Sequence, residues 1–141
     1  MKCLLFLLVT LTLAMAPASA EAKPAPNYAG SYELAGKRTD RVFSLDVKLT
    51  GRRAQVSFSA AMADGSGAAP DAAGTGKVAD DILTFKFKDS FDNEGTCKLQ
   101  YLPNSDLYQL DMVVTKVVES SPLHFYGTLQ LKKVPDRTMT P

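Results

Sequence analysis

The sequence predicts an all-β protein, an antiparallel up-and-down meander of about eight strands that closes into a small barrel. Three observations carry this. Apolar and polar residues alternate through most of the chain, the pattern of half-buried strands. Turn-forming residues recur at short, regular intervals between the alternating stretches, as in sandwiches and barrels. No ten-residue window shows a helical period.

Taken in order, GSYELAG opens the series, and VFSLDVKLT shows the alternation most clearly. There Phe43, Leu45, Val47 and Leu49 share one face, and Ser44, Asp46, Lys48 and Thr50 the other. RAQVSFSAAM places Ala54, Val56, Phe58, Ala60 and Met62 inward, and the Gly-rich GTGKVA supplies a further strand. ILTFKFKD follows with Leu83, Phe85 and Phe87 inward. TCKLQYL aligns Cys97, Leu99 and Tyr101; LYQLDMVVTKV aligns Tyr108, Leu110, Met112 and Val114; GTLQLKK aligns Leu129 and Leu131. The connections at TGRR, ADD, SFDNEG and LPNSD carry the Gly, Asn, Asp and Pro that tight turns require. Short sequential connections imply hairpins, and a meander with one apolar face hides that face by closing on itself. Eight strands leave room for a filled interior or for one small ligand. The bulk of the inward side chains favours filling, with the hydroxyls of Tyr32, Tyr101 and Tyr108 reaching the rim.

The chain opens MKCLLFLLVTLTLAMAPASA, in which Lys2, an apolar run and Ala18-Ser19-Ala20 form the three parts of a secretory signal peptide. Residues 1–20 are expected to be a leader, 21–28 a flexible Pro-rich spacer, 29–135 one barrel domain, and 136–141 a tail. No segment after the leader is long and apolar enough for a membrane span. Lys2 is the one charge of the leader, so the 16 basic and 15 acidic residues of the chain become 15 and 15 after it. That balance gives no footprint for nucleic acid. The absence of an Asn-x-Ser/Thr acceptor at Asn27, Asn93 and Asn104 fits a periplasmic location, with secretion as the alternative.

Cys97 is the only cysteine beyond the leader. Its parity puts it on the apolar face, where burial dulls a thiol, and a monomer is expected, with a Cys97-linked dimer as the alternative. One Cys and one His, His124, without paired spacing do not make a zinc site. Asp89, Asp92 and Glu94 before Gly95 lack the ligand order of a calcium loop. They read as a hairpin turn, with Asp92 and Asn93 in tight backbone angles and Gly95 left-handed. Ser120-Ser121 with His124 lacks an orienting acid, and ADGSGAAPDAAGTG, a flexible loop, lacks the Lys-Ser/Thr of a phosphate loop. These readings favour a protein that is not an enzyme and needs no cofactor.

In a meander the first, third, fifth and seventh connections share one mouth. That mouth would gather Asp64, Asp71, Asp89, Asp92, Glu94 and Glu119, with His124, into an acidic surface suited to a basic partner. Turn chemistry alone also places acids in loops, and Lys37, Arg38 and Arg41 dilute the charge. With its Gly30-Ser31-Tyr32 opening and acidic rim, the chain resembles the small periplasmic lipocalin-like barrels, among them the lysozyme-inhibitor type. The resemblance covers most of the mature chain by strand pattern, and the inhibitors' Ser-Gly-x-x-Tyr motif is absent. It implies a non-enzymatic inhibitor or immunity-like protein acting on a basic cell-wall hydrolase. The alternative is a carrier of a small hydrophobic molecule, with Tyr101, Tyr108 and Met112 lining its cavity.

Overall fold

The computed structural model describes residues 24–37 and 40–135. The expected leader and tail lie outside them. Eight strands follow one another: β1 Gly30–Leu34, β2 Arg41–Thr50, β3 Arg53–Met62, β4 Asp71–Ala79, β5 Ile82–Asp89, β6 Glu94–Leu102, β7 Leu107–Lys116 and β8 Thr128–Val134. Each pairs antiparallel with the next, and β1 pairs with β8, so the sheet is a closed meander barrel. A single turn of 3-10 helix, Leu123–Phe125, lies in the β7–β8 connection. No helix of the described residues is long and apolar enough to cross a membrane.

The alternation read from the sequence is the burial pattern of the barrel. In β2, Phe43, Leu45 and Val47 are buried while Asp46 and Lys48 are exposed. β3, β5, β6 and β7 repeat this with Phe58, Phe85, Leu99 and Leu110 inside. The apolar face is therefore internal and the charged face external, the reverse of a membrane-spanning barrel.

Two aromatic groups fill the ends of the interior. At the lower end, bordered by connections 51–52, 80–81 and 103–106, Tyr108 meets Tyr32 edge-on at 4.9 Å, Tyr28 at 5.9 Å and Tyr101 at 5.1 Å. At the upper end Phe58 stacks on Phe43 at 5.4 Å and meets Phe87 at 5.2 Å, with Tyr126 lying against Phe87 at 5.4 Å. Leu45, Leu83, Leu99, Leu110 and Leu131 are fully buried. Such contacts reach across the barrel from non-adjacent strands, so side chains occupy its interior.

Tyr28, on the boundary of the expected spacer, is itself part of this core. It is fully buried, donates to the Asp81 carbonyl at 2.5 Å and accepts from the Tyr101 amide at 3.3 Å. Its own carbonyl accepts the Tyr32 hydroxyl at 2.6 Å. The segment before β1 thus closes the lower end.

Two local readings are corrected. The strand read at GTGKVA begins three residues earlier, so 71–73 belong to β4 and not to a flexible loop, and the strand pairs with both neighbours. Asp71, Ala72 and Ala73 lack the bulk and branching that mark a strand, and Gly74 and Gly76 take its inward positions. A Cβ on Gly76 would lie 2.1 Å from the Thr84 carbonyl oxygen, and one on Gly74 1.8 Å from that of Lys86. These positions mark where β4 presses closely onto β5 as the wall curves. Gly95 is not left-handed; it is a buried strand residue whose Cβ would meet the Phe87 ring at 2.5 Å. The left-handed residue of that turn is Asp92, with φ of 64°, and the pairing of β6 with β7 shifts register between Glu94 and Gly95. The 3-10 turn escapes periodicity because it is a single turn, closed by bonds from Phe125 N to Pro122 O and Tyr126 N to Leu123 O.

A filled interior makes a definite forecast. Leu110→Trp should overpack the core and cost about 1 to 3 kcal/mol in urea unfolding; a neutral effect would mean that space remains inside.

Candidate functional site: the loops of the upper end

Connections 63–70, 90–93 and 117–127 share the upper end with residues 35–37 and 40 of the first connection, as a meander requires. Asp40 O accepts from Ala63 N at 2.9 Å, joining the first connection to the third. Arg41 Nη1 donates to His124 O at 3.2 Å, joining the start of β2 to the last connection.

Asp89 holds the centre. It is 5% exposed, and Asn93 is 0% exposed; they are the buried polar side chains of the core among the described residues. Asp89 Oδ1 accepts from the amides of Phe91 and Asn93, both at 2.9 Å. Its Oδ2 accepts Asn93 Nδ2 at 2.9 Å and the Tyr126 hydroxyl at 2.6 Å. Asn93 Oδ1 in turn accepts from Val118 N at 2.7 Å and Glu119 N at 3.0 Å. A buried charge is tolerated when its lone pairs are taken in this way. Asp71 joins the group through its backbone, its carbonyl accepting from Ser90 N at 2.7 Å and its amide donating to Ser90 Oγ at 3.2 Å.

The expected acidic rim divides accordingly. Asp89 is a structural anchor beneath the surface and offers no carboxylate to a partner. The sequence carried the signal: Asp89 follows Leu83, Phe85 and Phe87 at a spacing of two, on their inward face. Asp64, Asp71, Asp92 and Glu119 are exposed and Glu94 is half-buried. Asp92 pairs with Lys88 at 2.9 Å, which holds its carboxyl below the usual carboxylate range. Glu94 meets Lys116 at 3.4 Å. Asp64 bonds the amide and hydroxyl of Ser66, which also lowers its pKa, and Glu119 accepts from Ser121 N at 3.0 Å. The lower end has acids too, at Asp80, Asp81 and Asp106, all in left-handed turn positions. Turn chemistry therefore accounts for much of the acid at both ends.

No nucleophile is poised here. His124 is exposed and its Nδ1 bonds the carbonyl oxygen of Ser121, not a serine hydroxyl. Cys97 lies inside the wall, 1% exposed, and burial pushes its thiol pKa up. That position also keeps its sulfur from a second chain, against the Cys97-linked dimer. Among the described residues no group of three or more His, Cys, Asp or Glu could hold a metal ion. Of the residues assigned to a carrier cavity, Tyr108 and Met112 are buried core residues. Tyr101 is half-buried, its hydroxyl donating to Asp106 at 2.7 Å.

Two outcomes check this account. Asp89→Asn sets an amide NH2 against existing donors and should cost about 2 to 4 kcal/mol of stability, measured by urea unfolding; an unchanged midpoint would remove Asp89 from the centre. Cys97 should resist a thiol reagent in the native protein and react fully in urea, so rapid native labelling would contradict its burial.

Compared with protein-family models, with curated proteins and with solved structures, the chain finds no match.

Proposed function

We propose that the chain is an exported, non-enzymatic binding protein that meets a basic partner through the loops of its upper end, as an inhibitor or immunity-like protein does. The observation that supports this reading is the Asp89–Asn93–Tyr126 network. It ties the β5–β6 turn, the β7–β8 connection and the start of β4 to one buried carboxylate. Loops fixed before encounter lose little entropy on binding, which is what surface recognition without chemistry needs.

The exposed acids of this end are Asp64, Asp92 and Glu119, and the connection that carries Glu119 also exposes Val117 and Val118, at 55% and 58%. Loops that combine exposed acids with an exposed apolar pair suit a cationic protein surface, such as that of a cell-wall hydrolase. The carrier reading lacks comparable support, because the residues it needs are spent in packing the interior.

The test is affinity for a panel of basic cell-wall hydrolases, lysozyme included. Reversing Asp64, Asp92 and Glu119 to Lys should weaken binding to the preferred member by about a hundredfold and make it less sensitive to salt. Unchanged affinity for every member, or no binding to any, would sink the reading. Asp89 is left intact because its loss would disturb the fold.

A further inference from the structure

The outer wall carries a second charged feature, away from the upper-end loops and of opposite sign. Over β2 to β6 runs an open groove of about 790 Å³, floored by Ala54, Gly76 and Phe85. Four cations border it, Lys48, Arg53, Lys77 and Lys86, and no carboxylate lines it. All four are exposed, and none forms an ion pair with an acid of the described residues, in contrast to Lys88 and Lys116 at the rim. A chain with nearly balanced charge has thus left its cations here uncompensated.

The sheet register fixes their arrangement. Arg53 is the cross-strand partner of Lys77. Lys48 faces Gln55, Gln55 faces Thr75, and Thr75 faces Lys86. At about 4.8 Å per strand, Lys48 and Lys86 stand about 14 Å apart across the groove, with neutral hydrogen-bonding groups between them. Thr50 and Thr84 occupy the adjacent row, flanking Arg53 and Lys77. Beneath the groove β4 closes tightly onto β5 at Gly74 and Gly76, and its outward face carries Thr75 and Lys77.

We propose that this groove binds an acidic polysaccharide, a chain of sugar rings bearing carboxylates. The cations meet the spaced negative charges, while the hydroxyls of Thr50, Thr75 and Thr84 and the amide of Gln55 bond the sugar hydroxyls between them. A single-stranded nucleic acid fits less well: the one aromatic at the groove, Phe85, is 1% exposed and offers no face on which a base could stack. The site is independent of the upper-end loops.

Binding of the full chain to polygalacturonate should be measurable by calorimetry at low salt and weaken several-fold as salt rises from about 50 to about 300 mM. Uncharged dextran should not bind. The double variant Arg53→Ala, Lys77→Ala should lose at least about tenfold in affinity, and Lys48→Gln, Lys86→Gln should do the same, with Lys132→Gln on β8 as the cation control outside the groove. These side chains are exposed, so urea unfolding should be nearly unchanged. The proposal is overturned if polygalacturonate does not bind, or if Lys132→Gln weakens it as much as the groove variants. It is equally overturned if oligothymidylate of matching charge binds as tightly, since the groove would then read charge alone. Hydrolase binding should be unaffected by the groove variants, so this proposal and the upper-end reading fail separately.

Discussion

The β1–β8 ladder is the contact on which the remaining structure depends. Four residue pairs, from Ser31 with Val134 to Leu34 with Leu131, join the first strand to the last. A meander with one apolar face could otherwise expose two edges and a sheet of Phe, Leu and Val to water. Closing it satisfies the edge hydrogen bonds and buries that face in a single step. The closure also fixes the scale of the interior, which eight strands make just wide enough for side chains to fill. Tyr32, on β1 within this seam, meets Tyr108 across from it and bonds back to Tyr28. The seam is thus held from inside as well as by its ladder.

A closed wall still leaves two open ends, and the molecule closes them by different physics. Below, the chain entering β1 lays Tyr28 over the opening, where its hydroxyl satisfies a carbonyl and an amide that the turns leave free. Above, the β7–β8 connection folds inward through Phe125 and Tyr126, and the Tyr126 hydroxyl reaches Asp89. Burying a carboxylate is expensive, and it is tolerated because every donor around Asp89 is already positioned by the turn and the 3-10 segment. The same network that closes the upper end makes its loops a stiff surface. Stability and a capacity for recognition come from one group of bonds.

The exterior is organised by sign. Acids collect at the turns of both ends, where Asp80, Asp92 and Asp106 accept left-handed backbone angles. Cations stand along the strands, where their stems cover the sheet and their heads stay wet. Turn chemistry and strand chemistry alone would produce some of this separation. It does not explain why the acids at the upper rim find Lys88 and Lys116 while the cations over β2 to β6 border a concave surface without a carboxylate.

Alternation with a period of two determines strand number, strand face and the meander, because short connections leave few other topologies. The sequence alone therefore carried the barrel, its filled interior and the place of Cys97 inside it. It failed where a residue's type and its position disagree. Asp71, Ala72 and Ala73 look like a loop and form a strand, because what holds them is pairing with β3 and β5. Asp89 has the residue type of a surface acid and the parity of a core residue, and it sits in the core because the local turn supplies donors from residues 91 and 93 and folding brings in that of Tyr126. The groove is of the same kind: Lys48, Arg53, Lys77 and Lys86 lie on four strands, and only register and curvature make them neighbours. Local pattern fixes which way a side chain points, and tertiary closure decides what it meets.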